Sequence, residues 1–151
     1  MFYRLNNNRP IFKGFYTGKS TTPFGGIATN EIYLIRAESL ARMGDFTGAM
    51  NLLNSLLQKR WRTGTFTPLT ASNADEALIK IITERRKELP FTGHIPWIDL
   101  RRLNKDPRFS RTLKRIIDNT TYQLLPNSPN YVFPIPDEEI RLTGIPQNIR
   151  E

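Results

Sequence analysis

Two runs of helical periodicity meet at Gly44-Asp45, and this junction constrains the fold more than any other stretch of the chain. Before it, Tyr33, Ala37, Leu40, Ala41 and Gly44 fall at i, i+4, i+7, i+8 and i+11, a single helix face. Asn30 is placed to cap that helix, and Glu31 suits the positive end of its dipole. After the junction, Phe46, Ala49, Met50, Leu53, Leu56 and Leu57 form a second apolar stripe. Gly44 supplies the left-handed stop and Asp45 the next cap. So short a turn permits only an antiparallel helix pair. Ala37 and Ala49 remove the bulk that would hold the two backbones apart.

The remaining elements follow from punctuation. Residues 1–29 are expected to be an irregular lead-in, broken by Asn6-Asn7-Asn8, Pro10, Gly14, Gly18, Pro23 and Gly25-Gly26. Its aromatic fragments, Phe12 and Phe15-Tyr16, suit brief strands or packing onto a core. A loop is expected from Arg62 to Ala71. The spacing then predicts a helix from Asn73 to Leu89, opened by the capping-box pair Asn73 and Glu76 and ended by Pro90 and Gly93. Pro96 starts another helix, Trp97 to Leu103. A short helix is expected over Arg108 to Asp118, an extended stretch over Tyr122 to Ile135, and a last turn or two over Asp137 to Leu142. The expected fold is mainly α: a helical hairpin plus further helices wrapped by long irregular loops. Residues 30–151 form one domain in this reading. The Leu40, Gly44, Ala49 and Leu53 pattern is similar to a tetratricopeptide-type hairpin, although the pattern alone favours an ordinary helical hairpin.

Composition excludes several function classes. A chain of 151 residues suits one domain, and it has no cysteine, hence no disulfide and no thiolate metal site. His94 is the only histidine and builds no zinc centre by itself. No apolar run reaches membrane-spanning length, and Met1-Phe2-Tyr3-Arg4-Leu5 does not open a signal peptide. No nucleophile elbow or phosphate-binding glycine loop occurs. A net charge of +8 favours anionic partners, but the cations are scattered along the chain.

Two carboxylates, Glu84 and Glu88, share a helix face at roughly 6 Å, a spacing a glycosidase can use. Arg85, Arg86 and Lys87 lie between them, with Arg36, Arg101 and Arg102 available from other elements. A general acid needs a raised pKa, which guanidinium neighbours oppose. An ion-pair lattice joining helices is therefore the expectation, and no catalytic residue is assigned. Trp61, Tyr122 and Tyr131 are the candidate sugar-stacking platforms, Trp61 because it follows Lys59-Arg60 at a helix end. Trp97, beside Ile98 and three before Leu100, is expected in the core. Arg111, Lys114 and Arg115 share a helical face and form at most a solvated basic surface, since no nucleic-acid motif accompanies them.

Several segments occur in a recognisable order. They are Lys13-Gly14; Glu31-Ile32-Tyr33-Leu34-Ile35-Arg36-Ala37-Glu38; Gly44-Asp45 with Ala49; Leu53-Asn54 with Arg60; Glu84-Arg85-Arg86-Lys87-Glu88-Leu89; Asp99-Leu100-Arg101-Arg102; Ile135-Pro136 with Glu139-Ile140; and Gln147-Asn148. From about residue 14 to Asn148 the chain resembles the C-terminal region of the SusD/RagB family. The resemblance implies a non-catalytic, glycan-binding outer-membrane protein of Bacteroidetes that delivers oligosaccharide to a SusC-like TonB-dependent transporter. It also implies a larger parent, surface-exposed and lipid-anchored through a part that precedes this chain. It implies no cofactor, and a structural ion-pair scaffold of Glu31, Arg36, Glu38, Glu84, Arg85, Glu88, Asp99 and Arg102. Thr92 and Ile95-Pro96 depart from the family pattern at the Phe91 turn, as does Thr143-Gly144-Ile145-Pro146 near the end. The alternatives are a basic helical nucleic-acid-binding module and a protein-interaction scaffold without a sugar ligand. On the resemblance, the apolar patch around Leu34, Ile35 and Leu40 is expected to be exposed, where further hairpins would dock.

Overall fold

The computed structural model describes residues 25–150 together with two short strands near the start, β1 (Phe2–Arg4) and β2 (Pro10–Phe12). The strands pair antiparallel, with Phe2 opposite Phe12 and Arg4 opposite Pro10, so the lead-in is not wholly irregular. The expectations for Lys13-Gly14 and Phe15-Tyr16 lie outside the described residues. The chain is mainly helical and divides into two compact units, Met1–Pro96 and Trp97–Glu151.

The first unit is built on α1 (Thr29–Arg42), α2 (Phe46–Leu57) and α3 (Ala74–Glu88). Each helix contacts the other two, and each contributes a fully buried alanine, Ala37, Ala49 and Ala77, which lets the backbones come close. The junction between α1 and α2 is a Schellman motif. Gly44, at φ 91°, sends its N–H to Ala41 O, and Asp45 sends its own to Leu40 O. The Asp45 carboxylate then accepts from Gly48 N at 2.8 Å and caps α2. The core is Leu34, Ala37 and Ala41 from α1, Ala49, Met50, Leu53, Leu56 and Leu57 from α2, and Ala77, Leu78, Ile81 and Leu89 from α3 and its end.

The α1 stripe is rotated from the expected one. Asn30, Leu34, Ala37, Glu38 and Ala41 are buried, while Tyr33 and Ile35 are exposed. Both sets have helical spacing. Counting apolar residues misses the true face because two of its members are polar. Asn30 enters the interior by donating to Glu88 Oε1 at 2.8 Å, and Glu38 by taking Arg42 at 2.8 Å. The exposed patch expected around Leu34, Ile35 and Leu40 therefore loses Leu34 to the core.

The N-terminus of α3 is capped as its spacing predicts, Asn73 accepting from Glu76 N at 2.8 Å. Glu76 reaches back one residue further than a standard capping box and accepts from Ser72 N at 2.7 Å. The preceding loop is tied down by Asn54, whose carboxamide takes both Leu69 backbone groups, N–H at 2.9 Å and C=O at 2.8 Å.

Helix α4 (Ile95–Leu103) leads into the second unit. There β3 (Leu113–Ile117) and β4 (Thr120–Leu124) form an antiparallel hairpin. This replaces the helix expected over Arg108 to Asp118. Asp118 and Asn119 both adopt positive φ, 47° and 62°, as a type I′ turn requires. Ile116-Ile117 and Thr120-Thr121-Tyr122 on either side are β-formers. Lys114 and Arg115 consequently point to opposite faces of a strand, and the expected basic helix face with Arg111 does not exist. Beyond a short 3-10 helix at Pro129–Tyr131 lies α5 (Asp137–Thr143), ended by Gly144 at φ 69°. The chain then returns. The Gln147 carboxamide pairs with both backbone groups of Ile135, at 2.8 and 2.9 Å, Asn148 donates to Phe133 O, and Arg150 donates to Val132 O.

Candidate functional site

The last turn of α2 passes into a 3-10 turn, Gln58–Arg60, and the backbone then extends at Trp61. The loop that follows folds back at once. Arg62 O accepts from Thr65 N at 3.0 Å and from Thr65 Oγ1 at 2.9 Å, with Gly64 at φ 81°, a turn that needs glycine there. This brings Phe66 to Trp61, ring centroids 6.2 Å apart and planes tilted by 57°. Trp61 remains 57% exposed. An open groove of about 690 Å³ results, with the Trp61–Phe66 pair, Asn51, Gln58 and Thr63 along it and the cations Lys59 and Arg62 at its rim. Among the described residues, no carboxylate lines it. An indole face beside carboxamides and hydroxyls is a surface on which a sugar ring can stack by its C–H face and hydrogen-bond by its edge.

The other two platform candidates sit elsewhere. Tyr122 lies on β4 opposite Arg115 and is also 57% exposed, on a hairpin with little burial on either face. Tyr131 is 4% exposed and belongs to the core of the second unit. Its ring packs on Trp97 at 5.0 Å, and its hydroxyl accepts from Asn104 Nδ2 at 2.9 Å. Asn104 is itself buried and accepts from Arg111 N at 3.1 Å. Both Tyr131 groups that a sugar would use are thus engaged in packing. Trp97, half-buried, also stacks on Phe133 at 6.3 Å. Tyr122 and Tyr131 belong to the second unit; within the first, the aromatic that joins Trp61 is Phe66.

The carboxylates form ion pairs, and among the described residues two of these join different elements. Glu88 of α3 receives Asn30 from the start of α1 and Arg60 from the turn after α2, the latter through Nε and Nη2 at 2.6–3.1 Å. Glu31 of α1 faces the buried Arg85 at 3.6 Å. Others are local: Glu84 with Lys87 at 2.6 Å, Glu38 with Arg42, and Asp99 with Arg102 at 2.8 Å. Arg36 is exposed and pairs with no described residue. Among the described residues no cluster of His, Cys, Asp and Glu could hold a metal ion, and no helix is long and apolar enough to cross a membrane.

The model of the SusD family matches residues 17–149. The chain belongs to the SusD family. Among solved structures, a SusD-like protein from Bacteroides fragilis NCTC 9343 is 28% identical, with a TM-score of 0.53 over 80% of this chain and 24% of that one. The chain thus spans about a quarter of the length of that SusD-like protein. No curated protein matches. SusD membership assigns no role to the scaffold residues read from the sequence. It does not single out the groove partners Asn51, Gln58, Arg62, Thr63 and Phe66, which sequence reasoning missed. The available signal was Gly64 between Trp61 and Phe66, a turn that folds one aromatic onto the other.

Proposed function

We propose that this chain is part of a non-catalytic, glycan-binding protein of the outer membrane, one that hands oligosaccharide to a SusC-like TonB-dependent transporter. The observation that carries the reading is the SusD family match over residues 17–149. The Trp61–Phe66 groove supports it, being an aromatic surface that is both open and flanked by hydrogen-bonding side chains. The reading of the protein as a binder and not an enzyme draws on Glu84 and Glu88. Each is engaged by a cation, so neither is a free acid poised over a cleft. In this reading the parent is surface-exposed and lipid-anchored, and most of its glycan contacts lie in the remainder of the parent. A basic nucleic-acid-binding module has less behind it, because the basic residues of the hairpin do not converge on one face.

Titration calorimetry of the full-length parent and of this chain against one panel of polysaccharides tests the proposal. The parent binds at least one glycan, this chain binds it more weakly, and the parent co-purifies with a TonB-dependent transporter. A parent that binds no glycan and brings down no transporter would remove the assignment.

A further inference from the structure

The rim of the Trp61 groove carries more specific chemistry than a neutral sugar requires. Lys59 and Arg62 stand on either side of Trp61 in sequence, both exposed and both lining the groove. Neither has a carboxylate partner among the described residues. The cation between them in sequence differs: Arg60 turns inward to Glu88 at 2.6 Å and is used to join helices. So of three consecutive basic side chains around one tryptophan, the middle one is neutralised by the fold and the outer two are left to the groove. Among the described residues the lining holds no acidic side chain to balance them. Helix α2 ends beside this groove, and its C-terminal carbonyls carry about half a negative charge. Two whole cations outweigh that. A net charge of +8 adds attraction at longer range.

An indole face with unpaired cations at its edge suits a ring that is apolar on its face and anionic at its rim. The sugar C–H groups meet the negative π face, while a carboxylate or sulfate ester reaches the guanidinium and ammonium groups through charge-assisted hydrogen bonds. We infer that the Trp61 groove binds an acidic saccharide, anchored by stacking on Trp61 and by Lys59 and Arg62 on its anionic group. This rests on the glycan-binding reading above and narrows it to a ligand class. The anion comes either from a uronic acid or from a sulfate ester, and the two are separable by experiment.

Calorimetry on this chain decides it, with four probes of matched length: a galacturonic acid tetrasaccharide, a sulfated galactan tetrasaccharide, a neutral galactan tetrasaccharide and a tetraglutamate peptide. Binding of one or both acidic sugars, with the neutral sugar and the peptide far weaker, is the expected result, and the better acidic ligand identifies the anion. Lys59→Ala and Arg62→Ala each lower that affinity about tenfold, the loss for one charged hydrogen bond. Trp61→Ala abolishes binding and Trp61→Phe restores part of it. All these side chains are exposed, so the variants keep the wild-type melting temperature. Equal binding of the neutral sugar, insensitive to Arg62→Ala, would overturn the acidic assignment while leaving glycan binding intact. Tetraglutamate binding as tightly as the sugars and indifferent to Trp61→Ala would reduce the groove to a charged patch and overturn it too. Failure of all the sugars here, with a glycan bound by the parent, would overturn the groove alone.

Discussion

Glu88 shows how one carboxylate can hold three elements. It is 13% exposed at its side chain and takes Asn30 from α1 and Arg60 from the turn after α2 while sitting on α3. Glu88→Ala strands a buried carboxamide and a guanidinium together, so it should lower stability by about 2–4 kcal/mol in urea unfolding. Arg60→Ala leaves Asn30 on the carboxylate and removes only a half-exposed cation, and should cost about 1 kcal/mol or less. An equal effect of the two would show that Asn30 contributes nothing. Glu76 is a second residue with a measurable signature. Its hydrogen bond from Lys80, followed by that from Ser72 N, lowers its pKa from 4.5 to about 2. The folded carboxyl therefore titrates below the unfolded one. Its contribution is complete above about 4.5 and is lost as pH falls through about 2. The carboxylate lies at the surface, so the effect on stability is small, and the direct check is an NMR titration of the Glu76 carboxyl. A midpoint at the ordinary glutamate value in wild type, or one unmoved by Lys80→Met, would contradict the assignment.

Helix ends and turns carry the next layer of information. A Cβ on Gly44 would meet nothing within 4 Å, so Gly44→Ala isolates the strain of a positive φ, about 1–2 kcal/mol. At Gly48 the cost has another origin. A Cβ there would approach the Asp45 carboxylate to 2.2 Å, so Gly48→Ala displaces the cap of α2, at about 1 kcal/mol. Asp45→Ala together with Gly48→Ala should then cost little more than either alone, whereas Gly44→Ala should add in full; chemical denaturation of the set distinguishes them. Helices α2 and α3 were legible because their caps and stripes agree. The β3–β4 hairpin was equally legible in Asp118-Asn119 between β-formers, but the basic residues at 111, 114 and 115 have helical spacing and mimic a helix face. Asn119→Val should destabilise the hairpin selectively, since a β-branched residue resists positive φ, and amide exchange of β3 and β4 reports it.

At the scale of the molecule, surface character follows from which face each helix buries. Because Leu34 and the polar Asn30 and Glu38 take the inner side of α1, Ile32 and Ile35 are left outside, 50% and 45% exposed. The chain should bind a hydrophobic dye, and Ile32→Ser with Ile35→Ser should remove most of that signal without lowering the melting temperature. Dye binding unaffected by the pair would place the apolar surface elsewhere. The candidate site was half legible. Trp61 stood out as an aromatic at a basic helix end, whereas Tyr131, also a candidate platform in the sequence, is buried against Trp97. Nothing local separates an aromatic that fills a core from one that covers a groove.

Local physics, readable in the amino-acid order, determined the hairpin across Gly44-Asp45 and the cap and length of α3. Each depends on residues within a turn or two of one another. Tertiary structure decided which of two equally spaced stripes of α1 faces inward, because Asn30 can be buried only where Glu88 is there to receive it. It also decided that Arg60 turns to Glu88 while Lys59 and Arg62 stay at the groove. Three neighbouring cations are alike in sequence; only the position of a carboxylate 28 residues further on separates the structural one from those left to meet a ligand.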